Sequence, residues 1–192
     1  MTNIIEIHEL IDKRWSPRAF SSRMVEKEKI QKLFQAASLA PSCYNEQPWR
    51  FVYGTSDYPE RYNQLLSCLV EFNQLWVKGA PMIILCLASR IFSRNNMENH
   101  HSRHDLGLAV GNMALQATHM GLHMHQMAGF SEEKVRELFG VPNNFDIVSM
   151  IAVGYMGDAS QLPEDLARME NPIKERRPLV DIIFDGDWEK MK

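Results

Sequence analysis

The sequence predicts a fold that mixes α-helices and β-strands. Hydrophobic residues recur at helical spacing in several stretches, and short apolar or aromatic runs of strand length lie between them. The chain has 192 residues, of which 45% are hydrophobic and 23% charged, which is typical of a globular protein with a sizeable core. We see no internal repeat, low-complexity segment or linker, and therefore expect a single domain over residues 1–192.

Five helices are predicted from hydrophobic periodicity and from residues that begin or end helices. Pro41 should end the second helix, Asp57 should cap the third, and Gly140 should end the fifth. The expected helices are residues 3–13, 26–39, a segment that follows Pro59, 102–121 and 131–139.

Strands are predicted at residues 49–53, 82–87, within 122–130, at 146–155 and at 179–184. Residues 82–87 and 146–155 have the apolar, β-branched composition of strands that are buried on both faces. Residues 179–184 have no obvious local partner, and we expect them to reach a second subunit.

The net charge of −3 argues against a general attraction to nucleic acid or to anionic membranes. Any anion site must therefore be a local cluster. The longest apolar run, residues 80–88, is too short to span a bilayer, and the acidic N-terminal stretch does not resemble a signal peptide. Three cysteines without close pairing favour a reducing, cytoplasmic location.

Several well-known catalytic motifs are missing from the sequence. There is no G-x-G-x-x-G after a strand, no Walker A sequence and no G-x-S-x-G. There is also no H-E-x-x-H and no C-x-x-C. These absences argue against a Rossmann dinucleotide site, a P-loop nucleotide site, an α/β-hydrolase nucleophile and a zinc-protease centre.

A basic cluster at residues 13–18 is the first candidate binding feature. Arg14, Ser16 and Arg18 occupy alternate positions, so in an extended chain their side chains point the same way. A guanidinium fork beside a hydroxyl suits a phosphate group. The alternative is a solvated basic turn.

A polar loop at residues 40–51 is the second feature. Asn45 and Gln47 carry amides, which can pair with a heterocycle edge that presents both donors and acceptors. The alternative is that these side chains only satisfy the backbone of the turn.

Residues 123–130 and 174–179 supply two further features. The small pair Ala128-Gly129 lets backbone N–H groups approach a flat ligand, although an ordinary strand-to-helix turn would look similar. The basic residues of 174–179 could complete an anion site, or they could form a solvated tail.

In their order and spacing, these four features resemble those of the nitroreductase-like FMN-dependent oxidoreductases, and the resemblance covers nearly the whole chain. Residues 14–18 resemble the R-x-S-x-R/K signature of that family, and residues 41–49 resemble its P-S-S-x-N-x-Q-P-W. Further similar positions are 105–107 with Asn112 in the central helix, 128–130, 153–155 and 176–179.

The resemblance implies a nitroreductase-like α+β fold, in which helices flank a central, mostly antiparallel sheet. It also implies an intertwined homodimer that binds FMN non-covalently at the subunit interface, with the C-terminal extension reaching the partner. NAD(P)H would be a transient electron donor. The activity implied is a ping-pong, two-electron reduction of nitroaromatics, quinones or related small acceptors. Because the flavin performs the chemistry, no catalytic acid or base is nominated.

The resemblance also assigns roles to individual residues. Arg14 and Ser16 would bind the FMN phosphate and ribityl chain, Trp15 would contribute backbone, and Arg18 would lie beside the pyrimidine. The other implied contacts are Pro41, Ser42, Cys43, Asn45 and Gln47 from the partner subunit, Asn73 near the pyrimidine edge, Gln126, Met127, Ala128 and Gly129 near N5, and Lys174, Arg176 and Arg177 at the phosphate. Trp15, Cys43 and Gln126 depart from the family's usual residues and leave the donor and the substrate open.

Two alternatives remain open at this point. His100 and His104 lie one helical turn apart and could share a metal ion, but no Glu or Cys completes a recognisable ligand set. These histidines, or His101, could instead line a substrate cavity. The other alternative is a protein that stores or senses FMN without useful reductase activity.

Overall fold

A computed structural model of the protein describes residues 6–170 and 175–186, in which an antiparallel sheet is covered by helices on both faces. The strands are β1 (Trp49–Thr55), β2 (Met82–Ser89), β3 (His123–Met127) and β4 (Phe145–Gly154). The helices are α1 (Glu9–Lys13), α2 (Lys27–Ser38), α3 (Pro59–Cys68), α4 (Glu71–Val77), α5 (Ser102–His119), α6 (Glu132–Phe139) and α7 (Glu164–Arg168). Short 3-10 turns lie at Cys43–Asn45, Ala159–Gln161 and Leu179–Asp181. The predicted fold class and the central antiparallel sheet are confirmed.

The strands are ordered β1-β2-β4-β3, and each neighbouring pair is antiparallel. β2 is central, and every one of its residues is buried, as predicted. Alternate side chains of β2 face opposite helical layers, with Ile84 on one side and Ile83 and Leu85 on the other. β1 and β3 form the two edges of the sheet.

Two hydrophobic cores lie on opposite faces of the sheet. The first packs α2 and α5 against the sheet through residues such as Leu33 and Val110. The second packs α3, α4 and α6 through Leu65, Trp76 and Val135. None of the helices in the described part of the chain is long and apolar enough to cross a bilayer.

The predicted helices 26–39, 102–121 and 131–139 are present as α2, α5 and α6. Ser131 caps α6 by accepting the Lys134 N–H at 3.1 Å. The predicted role of Asp57 as a cap is wrong, because Pro59 is the first residue of α3 and Tyr58 therefore occupies the capping position, without a side-chain hydrogen bond.

α4 was not predicted from the sequence. It follows α3 closely and has only seven residues, which is too short for a clear periodic pattern. Its stability comes from tertiary packing, since Trp76 and Val77 are buried in the second core.

The strand predicted at 179–184 is wrong for the single chain, because Leu179–Asp181 forms a 3-10 turn. A strand needs a neighbouring ladder, and in the described residues none of the sheet strands pairs with this segment. Its apolar side chains are exposed, as Val180 at 78% shows. Pairing with a second subunit stays a prediction.

Tyr62→Phe should lower the free energy of unfolding by about 1–2 kcal/mol. The buried Tyr62 hydroxyl lies 2.9 Å from the Val77 carbonyl oxygen and 2.7 Å from that of Ala80, so phenylalanine leaves both carbonyls without this donor. Burial raises the pKa of Tyr62 to about 12. The corresponding stability is therefore present below about pH 10 and lost as the pH rises toward 12.

Urea unfolding at pH 7 measures the effect, and the exposed Tyr58→Phe is the matched control. Equal midpoints for the two variants would contradict the prediction.

Candidate functional site

Arg14, Ser16 and Gln126 line a cavity of about 420 Å³ on the outer side of α5. The Arg14 guanidinium donates a hydrogen bond from Nη1 to Ser16 Oγ at 3.1 Å. Both side chains are half-buried, so the cation is held beside a hydroxyl and remains accessible to a ligand. The structure thus brings together two residues of the predicted basic cluster with one residue from the end of β3.

The outward face of α5 forms the opposite wall of this cavity. Gly107 and Gly111 lie on that wall, and a Cβ atom at either position would meet nothing within 4 Å. Leu108 and Leu115 also line it with apolar surface. Small residues that allow close approach therefore face outward, where a ligand or a second subunit can use the space.

Arg18 lies further along the same stretch and does not line the cavity. The chain that follows it is anchored to the segment just after β4, because the Gly157 N–H donates to the Ala19 carbonyl at 2.9 Å. A Cβ at position 157 would lie only 2.4 Å from the Phe20 carbonyl carbon. Among the described residues the Arg18 guanidinium makes no ion pair, so its charge remains free for a ligand.

Two side chains outside the predicted set hold the main chain at Arg18. The His125 ring nitrogen Nδ1 lies 2.9 Å from the Pro17 carbonyl oxygen. The Glu170 carboxylate accepts the Arg18 N–H with both oxygens, at 2.9 and 3.1 Å. Burial lowers the pKa of His125, and the hydrogen bond to Pro17 opposes that shift only partly. The imidazole is therefore neutral at pH 7, and it packs on Trp76 with ring centroids 4.6 Å apart.

The polar loop between α2 and β1 has a strained backbone. Tyr44, Asn45 and Gln47 have positive φ angles of 53°, 56° and 52°. This left-handed region costs a residue other than glycine about 1 kcal/mol or more, and such strain clusters at functional sites. Asp105, which is only 2% exposed, anchors the loop by accepting the Cys43 N–H at 3.0 Å.

The same loop borders a second cavity, of about 350 Å³. Its lining comprises Pro41, Ser42, Cys43, His101, His104, Asp105 and Leu108. Leu108 also lines the Arg14 cavity, so the two cavities are neighbours along α5. Within one chain the predicted loop residues therefore do not join Arg14 in a single cavity, and Asn45 and Gln47 line neither.

Asn73 and Gly129, which were predicted from distant parts of the sequence, are in contact. Asn73 Nδ2 donates to the Gly129 carbonyl at 3.0 Å. A Cβ at position 129 would lie 2.7 Å from Asn73 Nδ2 and 2.9 Å from Val70 Cγ2, so any other residue here would displace these side chains. The contact depends on α4, the helix that sequence analysis missed.

The segment after β3 presents main-chain donors. Within the described residues the N–H groups of Ala128 and Gly129 donate to no acceptor. Met127 itself is buried in the second core and is paired with Met150 of β4.

The C-terminal basic residues do not line the Arg14 cavity. Arg176 and Arg177 are exposed, and Arg176 Nη1 donates to the Glu175 carbonyl at 2.6 Å. Lys174 lies outside the described residues. A role for these cations at a phosphate stays a prediction.

The structure gives no support to a metal site, since the described part of the chain holds no group of three or more His, Cys, Asp or Glu side chains that could bind an ion. His100 instead lies 3.6 Å from the Glu98 carboxylate. The thiols of Cys43, Cys68 and Cys86 are free. Burial raises the pKa of Cys86 to about 12, which makes it unreactive at neutral pH.

Comparison with known proteins matches this architecture to one family. The model of the nitroreductase family matches residues 11–155, which include Arg14, Ser16 and Gln126. A solved structure of an oxidoreductase containing FMN is 34% identical, with a TM-score of 0.91, over 97% of this chain and 95% of that one. An FMN-dependent nitroreductase from Clostridium difficile R20291 is 26% identical, with a TM-score of 0.65, over 81% of this chain and 91% of that one. A relative from Archaeoglobus fulgidus, whose name combines NADH dehydrogenase with NAD(P)H nitroreductase, is 28% identical over 83% of this chain and 90% of its own. The chain belongs to the nitroreductase family.

Proposed function

We propose that the protein is an FMN-dependent oxidoreductase that takes electrons from NAD(P)H and reduces small acceptors, such as nitroaromatics and quinones, by two electrons in a ping-pong cycle. The observation that carries this proposal is the cavity that joins Arg14 and Ser16 to Gln126 on the outer face of α5. The family supports it, as does the FMN in the related oxidoreductase. The lack of a Rossmann fingerprint agrees with NAD(P)H that binds only transiently.

Arg14 and Ser16 suit the phosphate end of FMN. A phosphate needs several donors in a fixed arrangement, and the Arg14 fork is already oriented by its hydrogen bond to Ser16. Because the net charge is −3, this local donor set has to supply the attraction.

Arg18, Ala128 and Gly129 suit the ring end. When bound, FMN supplies the redox chemistry, and the residues of the chain bind and orient it. A cation at Arg18 beside the pyrimidine would stabilise the negative charge of the reduced ring by about 1.5–3 kcal/mol. The N–H groups of Ala128 and Gly129, which have no acceptor among the described residues, are donors of the kind that N5 requires.

We propose further that two chains build the site as a homodimer. The outward face of α5, with Gly107, Gly111 and Leu108, lies between the two cavities and is uncovered in the single chain. If a twofold axis crosses this face, the loop of one subunit, with Ser42 and Cys43, meets the Arg14 cavity of the other. Leu39, which is 73% exposed and lines a neighbouring cavity together with Leu115 of α5, supports an interface here.

The open edge of β1 supports the predicted reach of the C-terminal segment. A groove of about 560 Å³ is lined by Tyr53 and Thr55 of β1, by Ile30 of α2 and by Arg61 of α3. An unpaired edge strand invites another strand. Residues 179–183 carry exposed apolar side chains that such a groove would cover if they came from a partner subunit.

Leu39→Glu should shift the protein from dimer to monomer and leave the fold intact. The Leu39 side chain is exposed in the single chain, so a charge there costs little stability within the subunit. Burying that charge unpaired at the interface would cost about 3 kcal/mol of dimer stability. Sedimentation equilibrium measures the shift. Gln35→Glu, one turn earlier on α2 and also exposed, is the charge-matched control. A Leu39→Glu protein that stays as dimeric as the control would count against this interface.

The purified protein tests the cofactor directly. We expect a yellow protein that releases FMN on denaturation, and whose flavin absorbance bleaches rapidly on anaerobic mixing with NADH or NADPH. Bleaching with neither donor would favour the alternative, in which the chain stores or senses FMN. A colourless protein that gains no stability from added FMN would overturn the proposal.

We also propose that His101 and His104 contact the acceptor, since both line the cavity beside the Ser42 loop, while His100 does not. Their alanine variants should change the relative turnover of different acceptors in steady-state assays, with His100→Ala as the matched control. Unchanged turnover of every acceptor tested would exclude this role.

A further inference from the structure

One peptide unit, between Pro17 and Arg18, is held from both sides by side chains. Its N–H donates to both carboxylate oxygens of Glu170, at 2.9 and 3.1 Å. Its carbonyl oxygen lies 2.9 Å from Nδ1 of His125. His125 belongs to β3 and Glu170 follows α7, so the peptide unit is held by two separate parts of the chain.

The contact with His125 also fixes the tautomer of that residue. A carbonyl oxygen only accepts, so Nδ1 carries the proton and donates it to Pro17. Burial lowers the pKa of His125, so the ring is neutral and its proton lies on the nitrogen that faces Pro17.

Glu170 bonds to the main chain of Arg18 and makes no ion pair with its guanidinium. The distinction matters, because a carboxylate paired with the guanidinium would neutralise the charge that a ligand could use. Here the carboxylate holds the backbone, and the guanidinium is without an ion-pair partner in the described residues.

Glu170 and His125 together form a clamp on the peptide unit between Pro17 and Arg18. The position of this clamp in the chain indicates what it controls. α1 ends at Lys13, and main-chain pairing with the segment just after β4 begins only at Ala19. The intervening residues carry the proposed phosphate and pyrimidine cations, Arg14 and Arg18. Without Glu170 and His125, the half of this stretch nearer Arg18 would lose its main-chain anchors.

We propose that Glu170 is a positioning residue that acts through the Arg18 backbone, with His125 completing the clamp, and that it sets where the Arg18 cation meets the reduced flavin ring. This inference rests on the proposed function, because it takes FMN as the ligand. In this proposal Glu170 acts through the Arg18 main chain, which it holds with both carboxylate oxygens, and not by direct contact with the cofactor or the substrate.

Three substitutions separate geometry from charge. Glu170→Ala removes both, Glu170→Asp keeps the charge but shortens the reach, and Glu170→Gln keeps the length and one acceptor but removes the charge. Glu164→Ala is the matched control, because it removes the same charge from nearby α7, where Glu164 pairs with Arg168.

Two measurements test whether Glu170 holds the Arg18 main chain and thereby sets the flavin potential. In the full-length, FMN-free protein, hydrogen exchange at the Arg18 amide should be slow in the wild type and in Glu170→Gln, and faster in Glu170→Ala and Glu170→Asp. In the FMN-loaded protein, Glu170→Ala and Glu170→Asp should weaken binding of reduced FMN relative to oxidised FMN by about tenfold. For a two-electron couple, tenfold lowers the flavin potential by about 30 mV. Glu170→Gln and Glu164→Ala should stay near the wild-type potential.

Other outcomes overturn the proposal. One such outcome is a flavin potential that changes in Glu170→Gln but stays at the wild-type value in Glu170→Asp. The charge of Glu170 would then act directly, and its hydrogen bonds to the Arg18 main chain would not set the potential. Unchanged exchange and potential in Glu170→Asp would also overturn it, and that variant suffices if Glu170→Ala fails to fold. Failure of the proposed function would look different, because the wild type itself would then not bind FMN while the exchange pattern at Arg18 could still be measured.

Discussion

Arg14→Ala should weaken FMN binding by about 10- to 100-fold, which corresponds to the loss of a charge-assisted contact of about 1.5–3 kcal/mol. The Arg14 guanidinium lies in the 420 Å³ cavity and is oriented by Ser16. Among the described residues it is the only charged side chain that lines this cavity, and the substitution removes it. Titration of the FMN-free protein with FMN, followed by quenching of flavin fluorescence, measures the dissociation constant.

Riboflavin, which lacks the phosphate, distinguishes the role of Arg14 from general damage. Arg14→Ala should bind riboflavin about as well as the wild type does, so the preference for FMN over riboflavin should largely disappear. Lys13→Ala is the matched control, since Lys13 is exposed and paired with Glu9 at 2.6 Å. An equal loss of affinity for both flavins would mean that Arg14 supports the fold of the site and does not bind the phosphate.

Gly157→Ala should lower the free energy of unfolding by about 3 kcal/mol, at the upper end of the usual cost of overpacking. The added Cβ would lie 2.4 Å from the Phe20 carbonyl carbon and 2.8 Å from the Ser21 nitrogen. Both are backbone atoms that cannot rotate away, so the Ala19–Ser21 segment would have to move. That movement displaces Arg18, and we therefore expect weaker FMN binding as well.

Urea unfolding and an FMN titration together test this prediction. Gly79→Ala is the control, because the nearest atom to its Cβ would be the Trp76 carbonyl oxygen at 3.4 Å, an ordinary contact distance. A Gly157→Ala protein with wild-type stability and wild-type FMN affinity would show that the close contact between the segment after β4 and the Ala19–Ser21 segment is dispensable.

Local patterns were sufficient to predict most of the fold. Residues 82–87 read as a buried strand because every position is apolar, and β2 is buried throughout. Ser131 and Gly140 marked the ends of α6 because capping depends on side chains adjacent to the helix. α4 escaped prediction because what stabilises it is the burial of Trp76 against residues distant in sequence.

The site was only partly predictable, for the same physical reason. The alternate spacing of Arg14 and Ser16 predicted that their side chains lie on the same side, and the two are hydrogen-bonded. Arg18 occupies the next alternate position but does not line the cavity that they share. His125 and Glu170 meet the N-terminal segment across 108 and 152 residues, and nothing near them in the sequence signals those contacts. The strand predicted for residues 179–184 needs a partner that one chain does not provide.

The hydrogen bonds between the Arg18 N–H and the Glu170 carboxylate have a consequence for how the protein is made. The stretch that carries Arg14 and Arg18 leaves the ribosome well before Glu170 does, because the carboxylate that holds it is synthesised 152 residues after Arg18. A nascent chain that stops before Glu170 has the arginines without their completed support. We therefore expect loading with flavin to follow translation, so that the cofactor stabilises the finished fold and does not guide its early formation.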